Sequence, residues 1–173
     1  MLICIILFQM AKAQQLNNLI KNTLYNDYKG MFRPAAGVLR YPFITPGSDQ
    51  YANDLWDWDS WLTNIALRQI LTDKANPKEK KEALAHERGC ILNFLDYGGA
   101  DGYIPIVVWK NANPRKQMPK DIYKENMHKP VLAQHAAFLV QQDQGNAEWL
   151  REKFYFMQAF MTNYKMHHRN KAT

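Results

Sequence analysis

Cysteine is nearly absent from this 173-residue chain: Cys4 and Cys90 are the only two, so at most one internal disulfide is open to it. No glycine-rich phosphate loop of the GxGxxG or GxxxxGKS/T kind occurs, and strand and helix signals do not alternate around one. A doubly wound nucleotide fold is therefore not expected. The chain also lacks an HExxH step and a cysteine pair, so neither a metal site nor a cofactor is expected. Long apolar runs are missing too. Residues 1 to 10, MLICIILFQM, fall well short of the ~20 residues that cross a bilayer, so no membrane span is expected. Positive charge exceeds negative, 22 against 16, for a net +6, but the lysines and arginines are scattered. The densest groups are Lys78, Lys80 and Lys81, interrupted by Glu79 and Glu82, and the tail from Lys165 to Lys171. Neither has the glycine or aromatic interleaving of a nucleic-acid module, so nucleic acid is not an expected partner.

What the chain does contain is aromatic surface. Five Trp, nine Tyr and eight Phe give an aromatic share of 13% within a hydrophobic total of 47%. Such a chain is globular, and its length suits one modest domain or a piece of a larger one. Flat rings serve a thick core, and they also match the C–H faces of pyranose sugars. At the N-terminus, the apolar run followed by Ala11-Lys12-Ala13 reads as a secretory signal peptide over residues 1–13, without the usual basic start. The mature chain, residues 14–173, is then expected in the periplasm or outside the cell. Cleavage would remove Cys4 and leave Cys90 as a small core residue.

Five helices are expected. Leu19, Ile20, Leu24 and Tyr28 recur at helical spacing before Gly30. Residues 31 to 57, with Pro34, Gly37, Pro42, Pro46 and Gly47, read as extended segments and turns. A second helix begins near Asp59 or Ser60, with a stripe of Trp61, Leu62, Ile65, Ala66, Ile70 and Leu71. The third has Asn76 as N-cap, Pro77 at N1 and Glu79 at N3, and runs to Gly98-Gly99. About thirty residues follow with little helical signal, including a strand-like run from Tyr103 to Trp109; loops of that length are commonly functional. Pro130 opens a fourth helix and Asn146 caps a fifth, whose stripe is Ala147, Leu150, Phe154, Met157, Met161 and Tyr164. Connections alternate between short and long, as in stacked helical hairpins with working loops on one face.

The densest chemistry lies in Asn53-Asp54-Leu55-Trp56-Asp57-Trp58-Asp59-Ser60-Trp61, three carboxylates and three indoles in nine residues. Indole faces stack on sugar rings, and carboxylates accept paired hydrogen bonds from vicinal hydroxyls. A purely structural role has its own mechanism: one Asp is expected to be the N-cap of the second helix, with Trp58 and Trp61 in the core. Asp57-Trp58-Asp59 also has the DxD form of a glycosyltransferase, although its usual α/β surroundings are missing. Among the histidines, His128 and His135 lie seven apart with Pro130 between them, His86 reads as solvent-facing, and His167-His168 sits in the basic tail, where cations favour a helix C-terminus.

The run Tyr41-Pro42-Phe43-Ile44 through Pro46-Gly47 to Leu55-Trp56-Asp57-Trp58-Asp59-Ser60 resembles the N-terminal signature of (α/α)6-toroid glycoside hydrolases, the group of trehalases, glycoside hydrolase family 63 and mannosylglycerate hydrolases. Asp101-Gly102-Tyr103-Ile104-Pro105 and Lys129-Pro130-Val131-Leu132-Ala133 resemble later steps of the same group, in order. The resemblance implies an all-α fold, an incomplete (α/α)6 toroid. It also implies a sugar subsite lined by Trp56, Asp57, Trp58, Asp59 and Lys129, with Asp59 holding ring hydroxyls. Lys129 stands where the group often has Gln, which keeps a donor and loses an acceptor.

Enzymes of this group invert the anomeric centre, with an acid and a base placed about 6.5–9.5 Å apart to admit water. Neither of the group's catalytic segments occurs among the 173 residues. The chain is thus expected to supply substrate-binding residues and no catalytic residue, as the N-terminal part of an inverting exo-glycosidase acting on α-linked sugars. The expected partner is an oligosaccharide or small glycoside, with self-association through the open toroid edge. A non-catalytic carbohydrate-binding or interaction fragment is the alternative, and a DxD glycosyltransferase the second.

Overall fold

The computed structural model describes residues 2–47, 49–113, 116 and 126–168. The described chain is mostly helical: α1 (Leu2–Asp27), α2 (Asp57–Lys74), α3 (Pro77–Leu95), α4 (Leu132–Gln142) and α5 (Phe154–His167). Two small antiparallel ribbons complete it. In one, β1 (Phe32–Arg33) pairs with β2 (Phe43–Ile44); in the other, β3 (Leu55–Trp56) pairs with β4 (Val107–Val108).

The third helix starts where its cap demands. Asn76 accepts from the Glu79 amide at 3.0 Å, and Glu79 accepts from the Asn76 amide at 3.1 Å, so the capping box is closed in both directions with Pro77 behind it. This helix is the spine of the core. Ala83, Cys90, Ile91, Phe94 and Leu95 are buried on it, and β2, α2 and α4 all pack against it. Contact with β2 is possible because residue 89 is glycine: a Cβ there would lie 1.7 Å from the Pro42 carbonyl oxygen.

Several elements depart from the expectations. Helix α1 runs unbroken through residues 2 to 27 and starts well before the expected helical run from Leu16. Its C-terminal end is tied down by Lys21 to Asp73 at 2.6 Å and by Tyr25 Oη donating to Glu79 at 2.8 Å. Tyr28, in a 3-10 turn, is buried, whereas Leu19, Ile20 and Leu24 are exposed. Asn146 bonds the Glu148 amide at 3.1 Å but opens a 3-10 stretch (Glu148–Lys153) rather than the α-helix itself. Of the last stripe, Leu150 and Met157 are buried and Phe154 and Met161 exposed. Among the described residues no helix is long and apolar enough to cross a membrane.

The largest departure concerns the face of α2. Asp57, Ser60, Asn64 and Arg68 are buried together with Leu67 and Leu71, while Leu62 lies on the surface at 59% exposure. Steps of three, four and four put those polar residues on one side of the helix. The expected apolar stripe is thus split: Ile70 and Leu71 are buried, Trp61 and Ile65 half-buried, and Leu62 and Ala66 exposed. Hydrophobic periodicity finds only part of the buried face where that side is rich in polar groups.

Candidate functional site

Three segments meet at the N-terminal end of α2. The Asp57 amide donates to the Ile106 carbonyl at 3.1 Å, beside the β3–β4 ribbon. The Ile106 amide donates to the Asn126 carbonyl at 2.9 Å, and the His128 amide to the Ile104 carbonyl at 2.8 Å. Residues 55–60, 103–108 and 126–129 thus form one backbone-bonded unit.

The three carboxylates of the cluster take three different places. Asp54 accepts from the Lys110 amide at 3.1 Å. Asp57 is fully buried and accepts from the Lys129 amide through Oδ2 at 2.9 Å. Asp59 is half-buried and has no hydrogen-bond or ion-pair partner among the described residues. None is a side-chain N-cap: Trp56 holds that position, and no side chain caps the helix. The first-turn carboxylates Asp57 and Asp59 complement the positive end of the helix.

The indoles are distributed in the same way. Trp56 is half-buried, edge-on to Tyr51 at 5.4 Å, and its Nε1 has no partner among the described residues. Trp58 is 52% exposed. Trp61 lies against His135 and Phe138, with ring centres 5.2 and 5.6 Å away. Of the expected subsite residues, the fold therefore brings Asp57 and Lys129 into direct contact, through the Lys129 backbone. It leaves Trp58 and Asp59 accessible. Because Asp57 is enclosed, Asp57 and Asp59 do not offer a paired DxD face to one ion. Among the described residues no group of three His, Cys, Asp or Glu side chains could hold a metal.

A buried polar layer lies beneath, and spacing alone gave no sign of it. His128 is enclosed between Phe94 and Phe160, edge-on to both at 4.6 and 5.9 Å, and its Nδ1 donates to the Lys129 carbonyl at 2.7 Å. Asp57 Oδ2 is 4.0 Å from the same nitrogen. Burial pushes the His128 pKa down and the Asp57 charge partly opposes this. The Asp57 charge also reaches Tyr164, whose pKa is raised first by burial and then by that charge. Asn64 bonds His135 Nε2, and burial, with the charge of His128, lowers His135 to about 3. His86, expected in solvent, is half-buried and stacks on Phe32 at 4.1 Å.

His135 gives the chain a pH dependence of definite sign. The unfolded chain takes up a proton at the ordinary value of 6.5, and the folded chain only near 3. Stability is therefore full above about pH 6.5 and is lost as pH falls toward 3. Between pH 7 and pH 5 the loss is about 2 kcal/mol from His135, and His128 adds to it in the same direction. Urea midpoints at the two pH values measure it, and His135→Gln should flatten the slope. Equal stability of the parent chain at pH 7 and pH 5 would contradict the assignment.

No family model, curated protein or solved structure matches the chain.

Proposed function

We propose that the chain forms part of the sugar-binding cleft of an inverting exo-glycosidase acting on α-linked sugars, as the N-terminal part of an (α/α)6 toroid. Trp56, Trp58, Asp59 and Lys129 contribute to the −1 subsite, and Asp57 holds the subsite together from beneath. The acid and the base come from outside these residues. One observation carries the reading: Asp57 of the first signature segment takes the Lys129 amide on its carboxylate and donates its own amide to Ile106, the residue that follows the segment 101–105. At that junction Asp59 and Trp58 are left accessible, the one a free carboxylate, the other a flat apolar face. The helices after residue 57 follow one another as α2–α3 and α4–α5 pairs, the unit from which a toroid is built.

The test separates ligand from scaffold. In a catalytically complete form of the enzyme, Asp59→Asn should lower kcat/KM ten- to hundred-fold, about 1.5–3 kcal/mol, because a charge-assisted bond to the sugar becomes a neutral one. The melting temperature should stay within about 1 °C, since surface changes away from packing are nearly neutral. Residues 1–173 alone should hydrolyse aryl α-glucosides no faster than background, because acid and base each contribute ~10²–10⁴-fold. Unchanged kinetics for Asp59→Asn would return Asp59 to a structural role, and turnover by the isolated chain would overturn the division of labour.

A further inference from the structure

A second site lies away from the tryptophan–aspartate junction. A cavity of about 520 Å³ opens between the C-terminal half of α2, the first half of α3 and the turn after α4. Four of its walls are cationic, Arg68, Lys80, Lys81 and Arg88, and one is anionic, Asp143. Counting Glu87, which pairs with Arg68, four positive charges face two negative ones. Arg88 pairs with Asp143 and lies over the Trp149 ring at 5.5 Å. Lys80 reaches the Thr72 carbonyl at 3.2 Å. Lys81 is exposed and has no ion-pair partner among the described residues.

The four cations outnumber the two anions, and hydrogen bonding is incomplete on both sides: buried donors of Arg68 and Arg88 and both carboxylate oxygens of Glu87 lack a hydrogen-bond partner among the described residues. The Arg68 side chain is only 9% exposed, yet its Nε has no hydrogen-bond partner, and the Nε of Arg88 is buried and unpartnered as well. Burial pulls the Arg68 pKa down, an effect that the Asp143 charge opposes in part. Buried N–H groups of charged side chains are rarely left without an acceptor, and each one left so is a standing cost to the fold. An oxyanion with several acceptor oxygens, held at once by guanidinium forks and ammonium groups, removes that cost.

We propose that this cavity binds a phosphate-type oxyanion, either free or as the ester group of a larger molecule, with Arg68 and Arg88 on its inner side and Lys80 and Lys81 at its mouth. The site is independent of the sugar-binding reading. It shares no residue with the Trp56–Asp59 cluster, and its occupation gives the chain an anion-dependent stability.

Calorimetric titration of the whole chain with sodium phosphate, at ionic strength held constant with sodium chloride, tests it. Phosphate should saturate one site in the millimolar range and raise the melting temperature, and added chloride should weaken it through screening. Lys80→Gln with Lys81→Gln should reduce the affinity by about tenfold. Lys12→Gln with Lys165→Gln, equal in charge and distant from the cavity, should leave it unchanged. If the double variant melts early, Lys81→Gln alone, at an exposed and unpaired position, carries the comparison and should weaken binding by about threefold. Phenyl phosphate binding more tightly than inorganic phosphate identifies an ester ligand, and equal binding identifies the free ion. Absence of saturation by both, or equal weakening by the distant lysine pair, overturns the site.

Discussion

Glu87→Ala is expected to destabilise the chain by about 3–5 kcal/mol, the usual cost of leaving one partner of a buried ion pair alone. Glu87 is fully enclosed on α3 and pairs with Arg68, itself buried on α2. Without Glu87 the guanidinium keeps only the more distant help of Asp143, so the lower half of that range is the better expectation. For a domain of this size the melting temperature should fall by roughly 6–16 °C. Replacing both partners, Arg68→Met with Glu87→Leu, should recover most of the loss, because packed apolar groups dispense with both desolvation penalties. A single variant that melts within 2 °C or so of the parent would show that Arg68 finds water or another partner at no great cost.

Asp57→Ala is the second large effect. It removes the acceptor of the Lys129 amide and the charge beside His128, at a site with no exposure. A buried amide left unsatisfied, together with the lost charged acceptor, amounts to about 3 kcal/mol. Asp57→Asn keeps an acceptor oxygen and should lose about 1 kcal/mol. Hydrogen exchange distinguishes local from global loss: the Lys129 amide should exchange about a hundredfold faster in the alanine variant, while amides of α3 hold their protection relative to global stability. An unchanged Lys129 amide would mean that the β3–β4 ribbon, not Asp57, fixes that segment.

Much of the fold was legible where local chemistry alone decides. Asn76, Pro77 and Glu79 announced the start of α3, and the strand-like run from Tyr103 became β4 because Val107 and Val108 pair with β3. The start of α2 was placed two residues late, since no side chain caps it and its first amide is satisfied across the ribbon by Ile106. The roles within the carboxylate cluster were not legible. Asp54, Asp57 and Asp59 share a side chain and a neighbourhood, and only the segments at Lys110 and Lys129, more than fifty residues away, decide which carboxylates become clamps. The polar stripe Asp57, Ser60, Asn64 and Arg68 was hidden for a related reason. In sequence it has the look of a solvated face, and its partners Glu87, Lys129 and His135 lie on other elements.

The ribbon between Leu55–Trp56 and Val107–Val108 also sets a timetable. Synthesis runs from the N-terminus at about 5–20 residues per second, so β3 leaves the ribosome several seconds before its partner exists. The α2–α3 pair, joined by Ala75 and Asn76, can form during that interval from local contacts alone. The junction around Asp57 cannot, because it needs residue 129 and the closure of a loop of more than fifty residues. The nascent chain therefore holds a finished hairpin with an unpaired strand at its head, and the Asp57 junction closes only after residue 129 has been made. Interruption of synthesis in the long loop would leave a helical product without the Asp57–Lys129 bond.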